Sequence, residues 1–398
     1  MQQSERQSQK ICFGPSLSYD ADLHLPCIAN VLKIEVNDQY GRLVTAGCNI
    51  DIGDTLLIEQ AYIRVSTGNE CYNCAEKKCS LIPYVTCTDV MFCSEECSHN
   101  DFHSVECNII FHSDETFGIK SSSFVLRSIM AGINAFKNID DMMQFIDDCR
   151  STDSKEISTS FATPESRYRS FFKLSSFGNL GDVRDQASSI FHGMVRSKDL
   201  AIKFDSPKKR RFLIHLICHH TLIVRTNGFG GLCDPSDSVL KSSVQPTENQ
   251  FERNIFLAAS YLNHSCLPNV AKLSKNNFAV VKAIQPISEG QQLFINYLDD
   301  ESTERTSEDR NKELENSYGF RCKCDLCIAG VRADARMLEM DNNFLFVVKN
   351  IENFKDSIYQ IKECCIAFIK NHSDKLASEP GYFILTTLTA MLQKELEL

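Results

Sequence analysis

Regular hydrophobic spacing recurs along the chain, with two different periods. Leu32, Ile34 and Val36 alternate with Lys33 and Glu35, the period of a half-buried strand. Asn37-Asp38 then makes a turn, and Arg42 to Ala46 and Thr55 to Ile58 predict further strands on either side of the turn residues Asp51-Ile52-Gly53-Asp54. From about residue 120 the period lengthens. Val125, Ile129, Ile133 and Phe136 fall at i, i+4, i+8 and i+11, widened by Leu126 and Met130, which predicts an amphipathic helix whose apolar stripe is core. A second apolar run, Phe212 to Val224, extends the helical region to a break at Asn227-Gly228-Phe229-Gly230-Gly231. Strand character then returns: Leu293-Phe294-Ile295-Asn296-Tyr297 follows a Glu289-Gly290 turn and predicts a short buried strand ending in a tyrosine. Towards the end, Phe344, Val347, Ile351, Phe354, Ile358, Ile361, Cys365 and Phe368 advance by alternating steps of three and four, the seam of one long helix. A turn at Pro380-Gly381 leads to a last helix bearing Ile384, Leu388 and Leu392. The pattern predicts an α+β protein in which a block of helices interrupts a β-rich core.

Cysteine changes the picture most. Nineteen occur in the 398 residues, and eleven of them fall in, or would complete, two clusters with metal-ligand spacing. The polar N-terminal run and the lack of any apolar stretch of about 18 residues predict neither a signal peptide nor a membrane span. A reducing compartment and zinc therefore explain the thiols better than disulfides do. The first cluster reads Cys71-x-x-Cys74, Cys79, Cys87, Cys93-x-x-x-Cys97, His103-x-x-x-Cys107. Two tetrahedral zinc sites need eight ligands, and this segment holds seven cysteines plus His99 and His103. So short a segment buries little core of its own, and metal would supply much of its folding free energy, about 10 kcal/mol or more per site. The second cluster, Cys322-x-Cys324-x-x-Cys327, supplies three thiolates and lacks a fourth. The unpaired Cys266 would complete it. Cys266 lies in an Asn263-His264-Ser265-Cys266 stretch stopped by Pro268, a functional loop rather than a helix. His215 and His219, at i and i+4, are read as core or surface histidines, because no glutamate stands in a metalloprotease spacing.

Charge excludes some functions. A net charge of −10 disfavours duplex binding, which depends on neutralising phosphates, and suits a basic protein or peptide substrate. The basic run Pro207 to Arg211 is read as a solvated helix start, with a nuclear localisation signal as the other reading.

The sequence Asn-His-Ser-Cys-x-Pro-Asn, followed by Gly-x-x-Leu-x-Ile-x-Tyr, closely resembles the SET domain. With the inserted cysteine cluster, the chain looks like the SET and MYND domain-containing (SMYD) family of protein-lysine methyltransferases. The resemblance implies a split SET β-fold with an inserted MYND zinc finger, a helical insert, a post-SET zinc segment and a helical C-terminal region. The implied boundaries are a polar arm at 1–27, the first SET part at 28–68, the finger at 71–107, the helical insert at 115–250, the SET core at 251–300, the post-SET segment at 308–328 and the C-terminal helices at 329–398. It further implies methyl transfer from S-adenosylmethionine to a lysine of a histone tail or another protein. Tyr297 would be catalytic, with Tyr318 lining the acceptor channel. Gly41, Arg42, Asn227, Ser260, Asn263, His264, Tyr297 and Phe320 would bind the cofactor, Phe320 by stacking on the adenine.

Three zinc ions are implied. Cys71, Cys74, Cys93 and Cys97 would hold the first, and Cys87, His103 and Cys107 the second. Cys266, Cys322, Cys324 and Cys327 would hold the third, stapling the post-SET flap over the site. The family usually has a cysteine where this chain has Tyr84, so Cys79 is taken as the replacement, with His99 the poorer candidate; many relatives also have a glycine where this chain has Leu43. The finger would bind proline-containing peptides. A monomer in the nucleus and cytoplasm is expected, with no membrane association and no nucleic acid as primary ligand. The alternative is a weak or inactive adaptor acting in transcriptional repression.

Overall fold

In the computed structural model the described residues are 15–66, 70–77, 80–88, 90–99, 101–107, 109, 118–151, 160–230, 252–298, 305–328 and 333–397. The alternating Leu32 to Val36 stretch forms β1 (Leu32–Asn37), paired antiparallel with β2 (Gly41–Ala46) from Leu32 opposite Ala46 to Asn37 opposite Gly41. Asn37 Oδ1 closes the turn by accepting from the N–H groups of Gln39 and Tyr40. Gly41 then takes a φ of +65°, a left-handed conformation that glycine enters without strain. β3 (Thr55–Gln60) and β4 (Ile63–Ser66) follow.

Part of the expected polar arm is bound to this unit. Ser18 N–H donates to the Thr55 carbonyl at 3.0 Å and Tyr19 Oη to Asp54 at 2.7 Å, while Leu25 is buried. Sparse apolar residues hid this, because the segment is held by hydrogen bonds to β3 and its preceding turn rather than by a hydrophobic stripe.

The finger comprises a small hairpin, β5 (Ile82–Pro83) and β6 (Met91–Phe92), and two short helices, α1 (Glu95–Ser98) and α2 (Asp101–Glu106). The helical insert contains α3 (Gly118–Ala135), α4 (Ile139–Ser151), α5 (Pro164–Phe172), α6 (Arg184–Arg196), α7 (Lys198–Lys203) and α8 (Pro207–Asn227). Local chemistry sets several of the ends. Thr163 and Ser166 form a capping box with Pro164 in the first turn of α5, and Ser206 caps α8 ahead of Pro207. The basic run is thus the first turn of α8, with Lys209 paired to Asp140 and Asp205. His220, buried inside α8, sits between Ser128 Oγ and Tyr168 Oη, each at 2.9 Å, and His219 meets the Phe172 carbonyl at 3.1 Å. Both are satisfied packing histidines.

The chain then returns to the β-core through β7 (Glu252–Ile255), β8 (Asn263–His264), β9 (Val270–Lys275), β10 (Phe278–Ala283) and β11 (Phe294–Ile295). β3, β10 and β9 form an antiparallel sheet in that order, and β4 pairs with β7. Val270, Ala279 and Val281 share one core with the helical insert. From the same strands, Ala271, Leu273 and Val280 belong to a second core with the C-terminal helices. The period-two alternation thus divides β9 and β10 between two packing layers.

α9 (Ser307–Tyr318) and α10 (Asp325–Ile328) form the post-SET segment. The predicted long C-terminal helix is broken. Its seam runs through α11 (Asn342–Asn350), a 3₁₀ segment at Ile351–Asp356 and α12 (Ile358–Asn371), packing on α13 (Glu379–Glu397). A three-four seam specifies which residues face inward, and a tight 3₁₀ turn preserves that facing without a continuous helix.

Candidate active site and metal clusters

Parallel pairing of β8 with β11 brings the two signature stretches together, Asn263 beside Phe294 and His264 beside Ile295. Tyr297 is thereby held at both ends. Its N–H donates to His264 Nδ1 at 3.0 Å, and its hydroxyl donates to the Leu262 carbonyl at 2.6 Å. Burial, with Tyr318 adding to it, pushes the Tyr297 pKa upward, so the hydroxyl stays protonated and serves as a donor. Burial pushes His264 down to about 4, leaving the neutral imidazole that can accept from Tyr297.

Tyr318 and Phe320 arrive from the end of α9. Gly319, at φ +77°, ends the helix by donating its N–H to the Leu314 and Glu315 carbonyls, and the ring of Phe177 fills the space a Cβ would need. This turn sets Tyr318 4.9 Å and Phe320 6.4 Å from the Tyr297 ring centroid, with Phe320 6.0 Å from His264. Two tyrosines, a phenylalanine and an imidazole therefore form one aromatic wall.

The predicted cofactor residues are distributed around it. Asn263 Nδ2 donates to the Arg42 carbonyl at 2.8 Å, which ties the Gly41-Arg42 turn to the Asn-His loop. The Arg42 guanidinium lies 5.2 Å over the Tyr261 ring. Ser260 Oγ donates to the Phe256 carbonyl at 2.5 Å, and Asn227 Nδ2 donates to the carbonyls of Ser175 and Ile223 at 2.6 and 2.8 Å. These side chains are fixed by backbone contacts that orient them.

Glu59 is a site-supporting residue the pattern did not single out. Its buried carboxylate accepts from three consecutive N–H groups, Leu257 at 2.7 Å, Ala258 at 3.0 Å to either oxygen and Ala259 at 2.9 Å. It caps the 3₁₀ turn at Ala259–Tyr261 that leads into Asn263. Burial pushes the carboxyl from its ordinary 4.5 up to about 7, against the pull of those N–H donors and Arg167. Unfolding therefore releases a proton between these two values, and this contribution to stability falls as pH rises from about 4.5 to 7. We expect Glu59→Gln to be destabilised by about 3 kcal/mol at pH 7.5, where Glu59 is ionised, because the amide NH₂ of the variant faces backbone donors. Denaturant melts from pH 4.5 to 7.5 check both effects: the wild type should lose stability across the window relative to the variant.

The thiols gather as clusters. Cys71, Cys74, Cys93 and Cys97 form one set and Cys266, Cys322, Cys324 and Cys327 another, all ligand atoms in each lying within 4.8 Å of one another. Such four-sulfur sets fit tetrahedral zinc. Cys87, His103 and Cys107 form a third set of three, with Cys87 Sγ 3.2 Å from His103 Nε2. Cys79 lies outside the described residues, and the Tyr84 ring packs edge-on 4.5 Å from His103. In the post-SET cluster Cys266 Sγ is 3.5 Å from Cys327 Sγ, and Arg310 donates to Cys327 at 3.7 Å, placing a cation beside the sulfurs. The finger is latched to the helical insert through buried charge. Arg127 of α3 pairs with Glu106 at 2.7 Å and stacks 4.1 Å over Tyr72, whose hydroxyl also reaches Glu106 at 3.2 Å. Among the described residues no helix is long and apolar enough to cross a membrane.

Sequence comparison with known proteins agrees with a SET core. The SET domain family matches residues 41–298. The bovine N-lysine methyltransferase SMYD2 is 26% identical over 298 residues, covering 72% of this chain but only 58% of that protein. A SET and MYND domain-containing protein of Dictyostelium discoideum is 22% identical, covering 79% of this chain and 85% of its own length. Among solved structures, the SET domain of LSMT bound to lysine and AdoHcy covers 92% of this chain and 85% of its own at 10% identity, with a TM-score of 0.35. The chain belongs to the SET-domain family, and SET and MYND domain-containing proteins are among the members it is similar to.

Proposed function

We propose that the protein is an S-adenosylmethionine-dependent protein-lysine N-methyltransferase. The observation that carries this reading is the double anchoring of Tyr297, by His264 and by the Leu262 carbonyl, inside the Tyr318–Phe320 wall. The residues suit the cofactor's chemistry. Phe320 offers a flat apolar face for a flat base, and the amides of Asn227 and Asn263 are held in fixed orientation by their backbone partners. When bound, S-adenosylmethionine supplies a methyl group on a sulfonium. Tyr297 and Tyr318 then line a poorly hydrated approach in which a lysine is favoured as the neutral amine, the form able to attack. The protonated Tyr297 hydroxyl orients the reacting groups, and alignment supplies most of the rate.

In the same reading three zinc ions are structural, with Cys79 as the fourth ligand of the second finger site. The finger binds proline-containing peptides, and the acceptor is a histone tail or another protein. In this reading the protein works in the nucleus and cytoplasm, reducing compartments that suit metal-ligating thiols. Calorimetric titration with S-adenosylhomocysteine tests the cofactor assignment. One site per chain with micromolar affinity is expected, reduced at least tenfold in Phe320→Ala through loss of stacking. Absence of binding by the folded, zinc-loaded wild type would overturn it.

A further inference from the structure

Two sulfurs of the post-SET cluster each meet a nitrogen of a buried side chain that is not itself a ligand. Cys266 Sγ lies 3.3 Å from His264 Nε2, and Cys327 Sγ lies 3.7 Å from Arg310 Nη2. The tautomer of His264 follows from its other nitrogen. Nδ1 faces the Tyr297 N–H at 3.0 Å, and a backbone amide only donates, so Nδ1 holds the lone pair and the proton sits on Nε2. His264 therefore donates to Cys266. One imidazole joins the thiol cluster to the backbone of Tyr297.

Arg310 completes the picture from the other side. Its Nη1 donates to the Arg305 carbonyl at 2.7 Å, its Nη2 donates to Cys327, and its buried Nε has no hydrogen-bond partner. No carboxylate among the described residues pairs with it. A guanidinium sealed in this way is costly unless an anion lies beside it. The anion in reach is the cluster itself, because cysteines bind zinc as thiolates and four of them leave the centre with a net negative charge. Neighbouring positions of α9 hold the same loop: Ser307 Oγ donates to the Cys327 carbonyl at 3.0 Å, and Asn311 Oδ1 accepts from the Cys322 N–H at 2.6 Å. The helix that carries the cation to the sulfurs also ends in Tyr318.

We propose that His264 and Arg310 are positioning residues of the post-SET zinc centre, each donating an N–H to one of its thiolates, a role that rests on the zinc reading above. Through the two nitrogens of His264 the centre also holds the backbone of Tyr297. Arg310 offsets part of the negative charge on the centre.

Zinc affinity at these four thiols tests the role without turnover, so the result does not depend on methyl transfer. The zinc-loaded chain is challenged with increasing chelator, and alkylation of each cysteine is mapped by mass spectrometry. The variants are Arg310→Met, Arg310→Lys, His264→Asn and His264→Gln, with Arg211→Gln, at an exposed position of α8, as the control for loss of a charge. Arg310→Met and His264→Asn should each lose about 10- to 100-fold in zinc affinity at Cys266, Cys322, Cys324 and Cys327. Arg310→Lys keeps the charge, and His264→Gln places an amide N–H near the position of Nε2, so both should lose less. Protection of Cys71, Cys74, Cys93 and Cys97 should stay at the wild-type level throughout. A role in packing alone predicts otherwise, because methionine fills the space of a buried arginine without the cost of desolvating a charge, and Arg310→Met would then hold zinc as the wild type does. Wild-type zinc affinity in either Arg310→Met or His264→Asn overturns the role of that residue. A wild type with no zinc on these four thiols overturns both roles by removing the zinc reading itself.

Discussion

Tyr297→Phe should lower methyl transfer by about 10²- to 10³-fold, about 3–4 kcal/mol at the barrier, while S-adenosylhomocysteine affinity changes by less than about twofold. The split follows from the two anchors. The substitution deletes only the hydroxyl that donates to the Leu262 carbonyl. The Tyr297 N–H still donates to His264, and the ring keeps its place 4.9 Å from Tyr318 and 5.4 Å from His264. Ground-state binding therefore survives while the hydroxyl oxygen that orients the reacting groups is lost. Single-turnover transfer alongside calorimetry measures the two quantities separately. Equal transfer by the variant removes Tyr297 from its assigned role, and a parallel collapse of cofactor binding makes it a packing residue.

Cys266→Ser should have the broader effect. It removes one of four thiols whose sulfurs lie within 4.8 Å of one another, and it is the one that comes from the Asn-His loop rather than the flap. The zinc would lose the ligand that ties Cys322, Cys324 and Cys327 to the SET core, and a structural site contributes on the order of 10 kcal/mol. Tyr318 and Phe320 lie just before those cysteines and would be released with them. The expected outcome is one fewer zinc per chain by elemental analysis, at least about 100-fold weaker S-adenosylhomocysteine binding and no measurable transfer. Cys48→Ser, which belongs to none of the three thiol clusters, is the control and should match the wild type. Full zinc content in Cys266→Ser would show that this cysteine does not close the cluster.

Much of this site was legible in the sequence because its chemistry is carried by short-range spacing. Zinc needs specific atoms at tight intervals, so Cys71-x-x-Cys74 and Cys322-x-Cys324-x-x-Cys327 announce themselves, and a motif order led to Asn263, His264 and Tyr297. The residues that went unseen act over long separations. Glu59 occupies an ordinary place in a strand, and only the fold reveals that its carboxylate caps a turn at Leu257–Ala259, almost 200 residues away. The break between α11 and α12 was invisible because period reports facing rather than continuity, and the contacts of Ser18 and Tyr19 in the arm went unseen because hydrogen bonds rather than an apolar pattern make them. The Tyr84 ring, at the position where the sequence departs from the expected thiolate, packs 4.5 Å from His103.

Methyl transfer itself is the most direct test of the central claim. The purified, zinc-loaded chain is incubated with methyl-labelled S-adenosylmethionine and either core histones or a whole-cell lysate, and the label is located by mass spectrometry. The account predicts label on the side-chain nitrogen of lysine in at least one protein, present with wild type and reduced about 10²- to 10³-fold with Tyr297→Phe. A wild type that binds S-adenosylhomocysteine and labels no lysine in either mixture would contradict it, and would favour an adaptor that retains the SET architecture without its reaction.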